Sequence, residues 1–358
     1  MIKPLTSLRF FFALMVFGCH LYIFGRSDSE FLKTFYISVL TEGRLGVSFF
    51  FILSGFILAY NYQEALINGQ KTRYDFYLAR FARIYPLHVL CFFIWIPLAY
   101  KEIFQTPLAS LLNAASNLTL TQSFIPKEPV YFSFNLPSWS ISDEMFFYLM
   151  FPLIIGTFRF FNRSKTALLY IAGTVLFIGL MLFVIPSTYY HDIFYINPLI
   201  RITDFIIGIA LYNLYVTISK KHGSISAGWE YLSIAVFVLF FVFRSYIPGV
   251  LRYSVYYWIP MSLIIFSFAF QKGLLSKLLS NKTLVLFGEI SFGFYMFHYI
   301  ILRYLIFINK HILKFDSELY IAPVAFILTI LISYLSFKWF ETPLNKYIKG
   351  KFGRARAN

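Results

Sequence analysis

The sequence predicts an all-α fold, a polytopic membrane helical bundle of about ten transmembrane helices with the N- and C-termini in the cytoplasm. Three observations predict it. Of 358 residues, 59% are hydrophobic and 22% aromatic, and only 13% are charged, whereas soluble chains carry about 25% charged residues. Apolar runs of about twenty residues recur from end to end, long enough to cross about 30 Å of hydrocarbon in helical form. Basic residues outnumber acidic ones, 31 to 16, for a formal net charge of +15, and they gather in alternate loops. The composition excludes a disordered tail, a secreted disulfide scaffold and a DNA-binding domain.

The first span, Pro4 to Phe24, contains Arg9 and lacks a small-residue cleavage pattern, so it reads as a helix of the mature chain rather than a signal peptide. Runs at Arg44 to Tyr62 and Ile84 to Tyr100 follow. The stretch Pro107 to Phe124, with Asn113, Ser116, Asn117, Thr119, Thr121 and Gln122, is too polar to face lipid and reads as an interfacial or re-entrant helix packed on protein. The remaining spans are Ser142 to Phe161, Thr166 to Pro186, Leu199 to Ser219, Trp229 to Phe243, Tyr253 to Phe270, Leu284 to Ile308 and Leu319 to Phe340. With cytoplasmic termini, the inner segments hold about twice as many basic residues as the outer ones, among them Lys71, Arg73, Arg80, Arg83, Arg159, Arg163, Lys165, Arg354 and Arg356. The basic balance is therefore topology, not a nucleic-acid footprint. Residues 1–345 form one membrane domain and 346–358 a short basic cytoplasmic tail. No internal repeat of the kind common in transporters is visible. Cys19 and Cys91 lie in apolar runs as small hydrophobes, and neither a disulfide nor a metal site is expected.

Ionisable groups at membrane depth are costly unless paired or wet, which makes them the informative positions. Arg9 and His20 share the first span and point the same way, about 20° off three full turns and about 16.5 Å apart along the axis. Arg9 either snorkels to the cytoplasmic headgroups or lines a site. His20 is too deep to snorkel inward and is either structural or the group that titrates nearest neutral pH. The fourth span opens Trp139-Ser140-Ile141-Ser142-Asp143-Glu144, and Ser140, Glu144 and Tyr148 form one polar stripe at i, i+4, i+8. An acid beside a histidine suits general base catalysis. Alternatively the serines cap the helix and the acids meet its dipole. Arg80 and Arg83, at i and i+3, suit a phosphorylated ligand at the cytoplasmic mouth, or they are positive-inside flanks. Arg201 and Asp204 read as an internal ion pair. Glu289 and His298 fall on opposite faces of a straight helix and can share a site only if it breaks near Gly288 or Gly293.

Taken in order, these segments resemble the acyltransferase type 3 family of bacterial integral membrane proteins, carbohydrate O-acyltransferases, from about Pro4 to Pro343. Arg9 and His20 look like its R-x10-H pair. Gly46-Val47-Ser48-Phe49-Phe50-Phe51-Ile52-Leu53-Ser54-Gly55-Phe56 looks like its G-V-D-L-F-F-V-L-S-G-F segment. Arg80 and Arg83 match R-x-x-R before Ile-Tyr-Pro, and Trp139 to Tyr148 match W-S-x-S-x-E-x-x-F-Y. Gly288 to Ser291 with His298 resembles G-x-I-S-Y-x-x-Y-x-x-H, and Glu341-Thr342-Pro343 also fits. Ser48 stands where the family usually has aspartate, and Asp143 where valine is typical.

The resemblance implies transfer of an acyl group, usually acetyl from acetyl-CoA, to a carbohydrate hydroxyl across the bacterial inner membrane. Arg80 and Arg83 would hold the CoA phosphates. His20 would act as base, with Glu144 or Asp143 as its carboxylate and Arg9 near the oxyanion. Ser140, Ser142, Tyr148, Glu289 and His298 are secondary candidates. Acyl-CoA is the donor substrate, with no permanently bound cofactor, and the partners are a carbohydrate or lipid-linked glycan acceptor and the bilayer. A polysaccharide-precursor transporter or flippase is the competing reading, which would not need to bind CoA thioesters.

Overall fold

The computed structural model describes residues 1–158, 164–315 and 318–353. Its main helices are α1 (Lys3–Cys19), α2 (Glu30–Ser38), α3 (Leu45–Leu58), α4 (Arg73–Trp95), α5 (Pro107–Leu118), α6 (Ser138–Phe158), α7 (Ser164–Val184), α8 (Pro198–His222), α9 (Gly228–Phe243), α10 (Trp258–Ala269), α11 (Lys282–Ile308), α12 (Ile321–Ser336) and α13 (Thr342–Phe352). No strand occurs among the described residues. Seven helical stretches there are long and apolar enough to cross a membrane, and Ile171–Val184 and Val255–Ala269 are shorter apolar helices. Each of the ten expected spans falls on a helix, but Ser142 to Phe161, Thr166 to Pro186 and Tyr253 to Phe270 are not among the seven stretches long and apolar enough to cross, and the fourth ends, at 159–161, outside the described residues. Arg159, Arg163, Arg354, Arg356 and the last five residues of the basic tail also lie outside them.

Helix is the form in which an apolar segment satisfies its own backbone in lipid. The ends follow local chemistry. Asn197 accepts a hydrogen bond from Leu199 N, Pro198 supplies a first residue that needs no donor, and Gly223 stops α8 with φ of 71°. Where apolarity and helicity part company, the helix is longer: α4 starts at Arg73, a full polar stretch before the apolar run at Ile84. In α5, Ser110, Asn113, Ser116 and Asn117 are buried, while Leu108, Leu111 and Leu112 are exposed. That helix is amphipathic with its polar face inward.

The chain divides into two compact units, and α1, α3 and α6 each contribute to both or begin at their boundary. The first comprises 1–8, 47–77 and 143–285. Its α3 and α8 cross backbone to backbone: a Cβ on Gly55 would run into the carbonyl oxygen of Phe205, and one on Gly208 into that of Ile52. Beside this crossing Phe147 stacks on Phe205 and meets Phe51 edge to face. The expected pair Arg201 and Asp204 is fully buried at 3.0 Å. Arg201 also donates to Tyr253 O and Ser48 Oγ, and Asp204 accepts from Ser254 Oγ and Trp258 Nε1. Glu230, buried in α9, accepts from the amides of Gly273 and Ser276 and from Ser276 Oγ, which pins the start of the short helix Leu274–Leu279.

The second unit comprises 9–46, 78–142 and 286–358. Its centre is α11, whose span is the most buried of the seven, with 72% of its apolar window inside the protein against 11% for the span of α9. Phe10 and Phe17 of α1 and Phe326 of α12 close on Phe294 of α11. Trp95 of α4 stacks on Tyr299, and Tyr304 donates to Ile94 O.

The glycine crossing yields a stability test. Gly55→Ala should lower the melting temperature and the amount of protein recovered from membranes, at the cost of about 1–3 kcal/mol typical of overpacking. Gly156→Ala should change neither, because nothing lies within 4 Å of a Cβ there.

Candidate functional site

α1 ends at Cys19, and the amide of His20 bonds back to Phe17 O as the chain turns. The helix end frees the His20 ring to reach across to α11. His20 Nδ1 lies 2.9 Å from His298 Nε2, and His298 Nδ1 lies 2.6 Å from the carbonyl oxygen of Tyr295 in its own helix. His298 is fully buried.

These two distances assign the protons. A carbonyl only accepts, so His298 Nδ1 carries hydrogen and, in the neutral ring, Nε2 holds a lone pair. His20 Nδ1 must then donate to it, which leaves the lone pair of His20 on Nε2. The pair is a two-ring relay anchored on backbone and ending in a basic nitrogen. The unbroken helix Lys282–Ile308 keeps Glu289 on the face opposite His298, so of the two secondary candidates in that span only His298 meets His20.

Tyr295 extends the arrangement. Its hydroxyl sits 2.7 Å from Ser140 Oγ, and both hydroxyls have Pro137 O as an acceptor, at 2.9 Å from the serine and 3.4 Å from the tyrosine. Ser142 Oγ donates to Leu120 O and meets Ser123 Oγ at 2.7 Å. Both serines thus bind the second unit's interior at the head of α6. Asp143 and Tyr148 are buried and Glu144 is half-buried farther along α6, in residues that belong to the first unit.

Elsewhere in the second unit, Arg83 Nη1 stands 3.7 Å from Glu341 Oε2, and the guanidinium lies over the Phe292 ring at 5.6 Å. Ser336 Oγ donates to the other oxygen of Glu341, and the charge of Arg9 acts on the same carboxylate. Arg80, half-buried, shares the α4 face with Arg83. Arg83 and Arg9 thus act on one buried carboxylate, with Arg80 on the same face of α4 as Arg83, and these cationic surroundings suit an anionic ligand.

Glu341 was visible in the sequence only as the opening of Glu-Thr-Pro; the signal that marks it is an acid at the end of a span whose one other charge is Lys338. His298 was visible as a buried histidine, but its partner lies 278 positions away in the chain, beyond the reach of any spacing argument. No group of three or more His, Cys, Asp and Glu among the described residues could hold a metal ion.

Residues 4–338 match the family described as "Acyltransferase domain". Among curated proteins, acyltransferase MdmB of Streptomyces mycarofaciens is 29% identical over 321 residues, covering 85% of this chain and 79% of that protein. O-acetyltransferase OatA of Staphylococcus aureus is 27% identical over 331 residues, covering 86% of this chain and 53% of that one, so the chain spans about half the length of OatA. No solved structure matches the chain.

Nitrogen chemical shifts of histidine-labelled protein check the relay. Both His20 and His298 should show a protonated Nδ1 and a bare Nε2 at neutral pH, and His298→Ala should abolish the single-tautomer signal of His20. A His20 ring protonated on Nε2 instead would contradict the assignment.

Proposed function

The chain belongs to the acyltransferase family that its residues 4–338 match, and from that premise we propose that it moves an acyl group, acetyl in the simplest case, from cytoplasmic acyl-CoA to a carbohydrate hydroxyl. The chain is a membrane acyltransferase; the identity of donor, acceptor and sidedness is our reading. The observation that carries it is the relay from Tyr295 O through His298 to His20, which supplies a positioned base.

In this mechanism His20 Nε2 accepts the proton of the acceptor hydroxyl as its oxygen attacks the thioester carbonyl. Positive charge on His20 is shared through its Nδ1–H bond to His298. The tetrahedral intermediate collapses, the C–S bond breaks, and the leaving CoA sulfur takes the proton back from His20. Base help of this kind contributes about 10² to 10⁴ in rate. Arg9 lies about 16.5 Å along α1 from His20 and acts on Glu341 beside Arg83, so in this reading it meets the donor on its way to His20. From the sequence stripe, Glu144 supplies the carboxylate that balances the imidazolium.

Arg80 and Arg83 take the CoA phosphates at the cytoplasmic mouth, where guanidinium forks bind phosphate bidentately. Glu341 holds Arg83 ready and keeps the unliganded cluster from carrying its full charge. With both termini in the cytoplasm, the basic loops and this cluster share one side. The name of OatA supports acetyl as the acyl group and a hydroxyl as the acceptor, and the place of action is the bacterial cytoplasmic membrane.

Transfer of label from radiolabelled acetyl-CoA to glycan, in membranes at matched expression, tests the reading. His20→Ala should lower transfer about 10²- to 10⁴-fold at any donor concentration, and Glu144→Gln about 10²-fold. Arg80→Ala/Arg83→Ala should raise KM for acetyl-CoA about tenfold or more and recover at high donor. Equal transfer by all four proteins would overturn the catalytic reading.

A further inference from the structure

The polar segment from α5 to the head of α6 holds buried hydrogen-bond acceptors that the mechanism above does not use. Asn117, Gln122 and Asn135 are buried, and a carbonyl fixes which way each amide points. Asn117 Nδ2 faces Asn113 O at 3.0 Å and Ser133 Oγ at 2.8 Å. Gln122 Nε2 faces Ser138 O at 3.1 Å, and Asn135 Nδ2 faces Met296 O at 3.0 Å. Carbonyls only accept, so the nitrogens are engaged and the amide oxygens are left over. Asn117 Oδ1, Gln122 Oε1 and Asn135 Oδ1 have no partner.

His88 repeats the pattern. Its Nε2, 2.9 Å from Asn117 O, must donate, so the neutral ring presents a lone pair at Nδ1, and that atom has no partner either. Buried acceptors without donors are costly and rare enough to need a reason. Two non-glycine residues in the same segment, Leu120 with φ of 56° and Phe134 with φ of 57°, adopt the left-handed conformation. Such strain persists where the surroundings impose it and gathers around ligand sites.

The segment is tied to the relay. Asn135 binds the carbonyl of Met296, and Ser140 binds Tyr295, whose own carbonyl holds His298. Between Pro107 and Ser142 the unsatisfied atoms are the three amide oxygens, all acceptors. A phosphate or carboxylate would meet lone pairs only, and a pantetheine arm brings carbonyls as well as N–H groups. A ring bearing several hydroxyls brings a donor for each free acceptor.

We propose that His88, Asn117, Gln122 and Asn135 recognise the acceptor as a polyhydroxyl ring, accepting hydrogen bonds from hydroxyls that neighbour the one to be acylated. The proposal rests on the transfer reading above and adds the residues that read the acceptor's neighbouring hydroxyls.

The test uses the full-length protein in lipid nanodiscs, with octyl glucoside as the polyhydroxyl probe and octanol as the single-hydroxyl control. Binding is read as a rise in melting temperature, and acetyl-CoA consumption is followed separately. The glucoside, not octanol, should stabilise the wild type. Gln122→Met and Asn135→Leu should each lose that rise and raise KM for the glucoside about five- to tenfold, with KM for acetyl-CoA unchanged. Ser133→Ala, which touches the network without removing a free acceptor, should keep the rise.

Equal response to glucoside and octanol, unchanged binding in both amide variants, or an equal loss in Ser133→Ala would overturn the proposal. The two amide positions lie on different segments, so a folding defect in one leaves the other to decide. Glucoside binding that depends on Gln122 and Asn135, with no acetyl-CoA consumed by the wild type, would keep the recognition site and sink the transfer reading instead.

Discussion

The bond from His298 Nδ1 to the carbonyl of Tyr295 governs the chemistry of the second unit, because a backbone oxygen can never donate and so leaves the ring no choice of tautomer. From that bond follow the lone pair at His298 Nε2, the proton on His20 Nδ1 and the free pair on His20 Nε2. The surrounding structure serves to keep both rings in register. Phe10, Phe17, Phe294 and Phe326 close the sides, Trp95 and Tyr304 fix α11 to α4, and the break of α1 at Cys19 lets His20 lean in. Burial of α11 is what makes the arrangement rigid.

The same rule, that polar groups inside an apolar protein must answer one another, organises the first unit around a different pair. Arg201 and Asp204 are fully buried, and such a pair is tolerated only when the remaining donors and lone pairs are also met. Tyr253 and Ser48 take one donor each from the two terminal nitrogens of Arg201, and Ser254 and Trp258 donate to one oxygen of Asp204. Ser48 stands where a second carboxylate would be usual in the family; the serine accepts from Arg201 with its hydroxyl oxygen and passes its own proton to Tyr253 O. Charge balance is thereby kept within one helical turn of α8.

How much of this could be read from the sequence depends on the range of the interaction. Each apolar run coincides with a helix because helix in lipid is dictated locally. The i, i+3 pair of Arg201 and Asp204 was legible for the same reason. So was the inward polar face of α5, since Asn113, Ser116 and Asn117 recur on one side. The early start of α4 at Arg73 was not, because hydropathy reports what faces lipid and a helix can extend beyond it. The meeting of His20 with His298, the hold of Glu341 on Arg83 and the leftover amide oxygens were illegible, being set by contacts between distant segments. Glu144 remained the sequence's choice of carboxylate, drawn from a stripe that α6 does form.

The inward polar face of α5 also bears on biogenesis. With Ser110, Asn113, Ser116 and Asn117 directed into the protein and Leu108, Leu111 and Leu112 outward, this helix has nowhere to rest in a bilayer until its neighbours exist. The side-chain amides of Asn113 and Asn117 bond to Pro129 O and Ser133 Oγ, which are synthesised after the helix. The nascent chain must therefore hold this stretch at the interface or in the insertion machinery while later segments arrive. The last act of assembly around α5 is its docking, not its insertion.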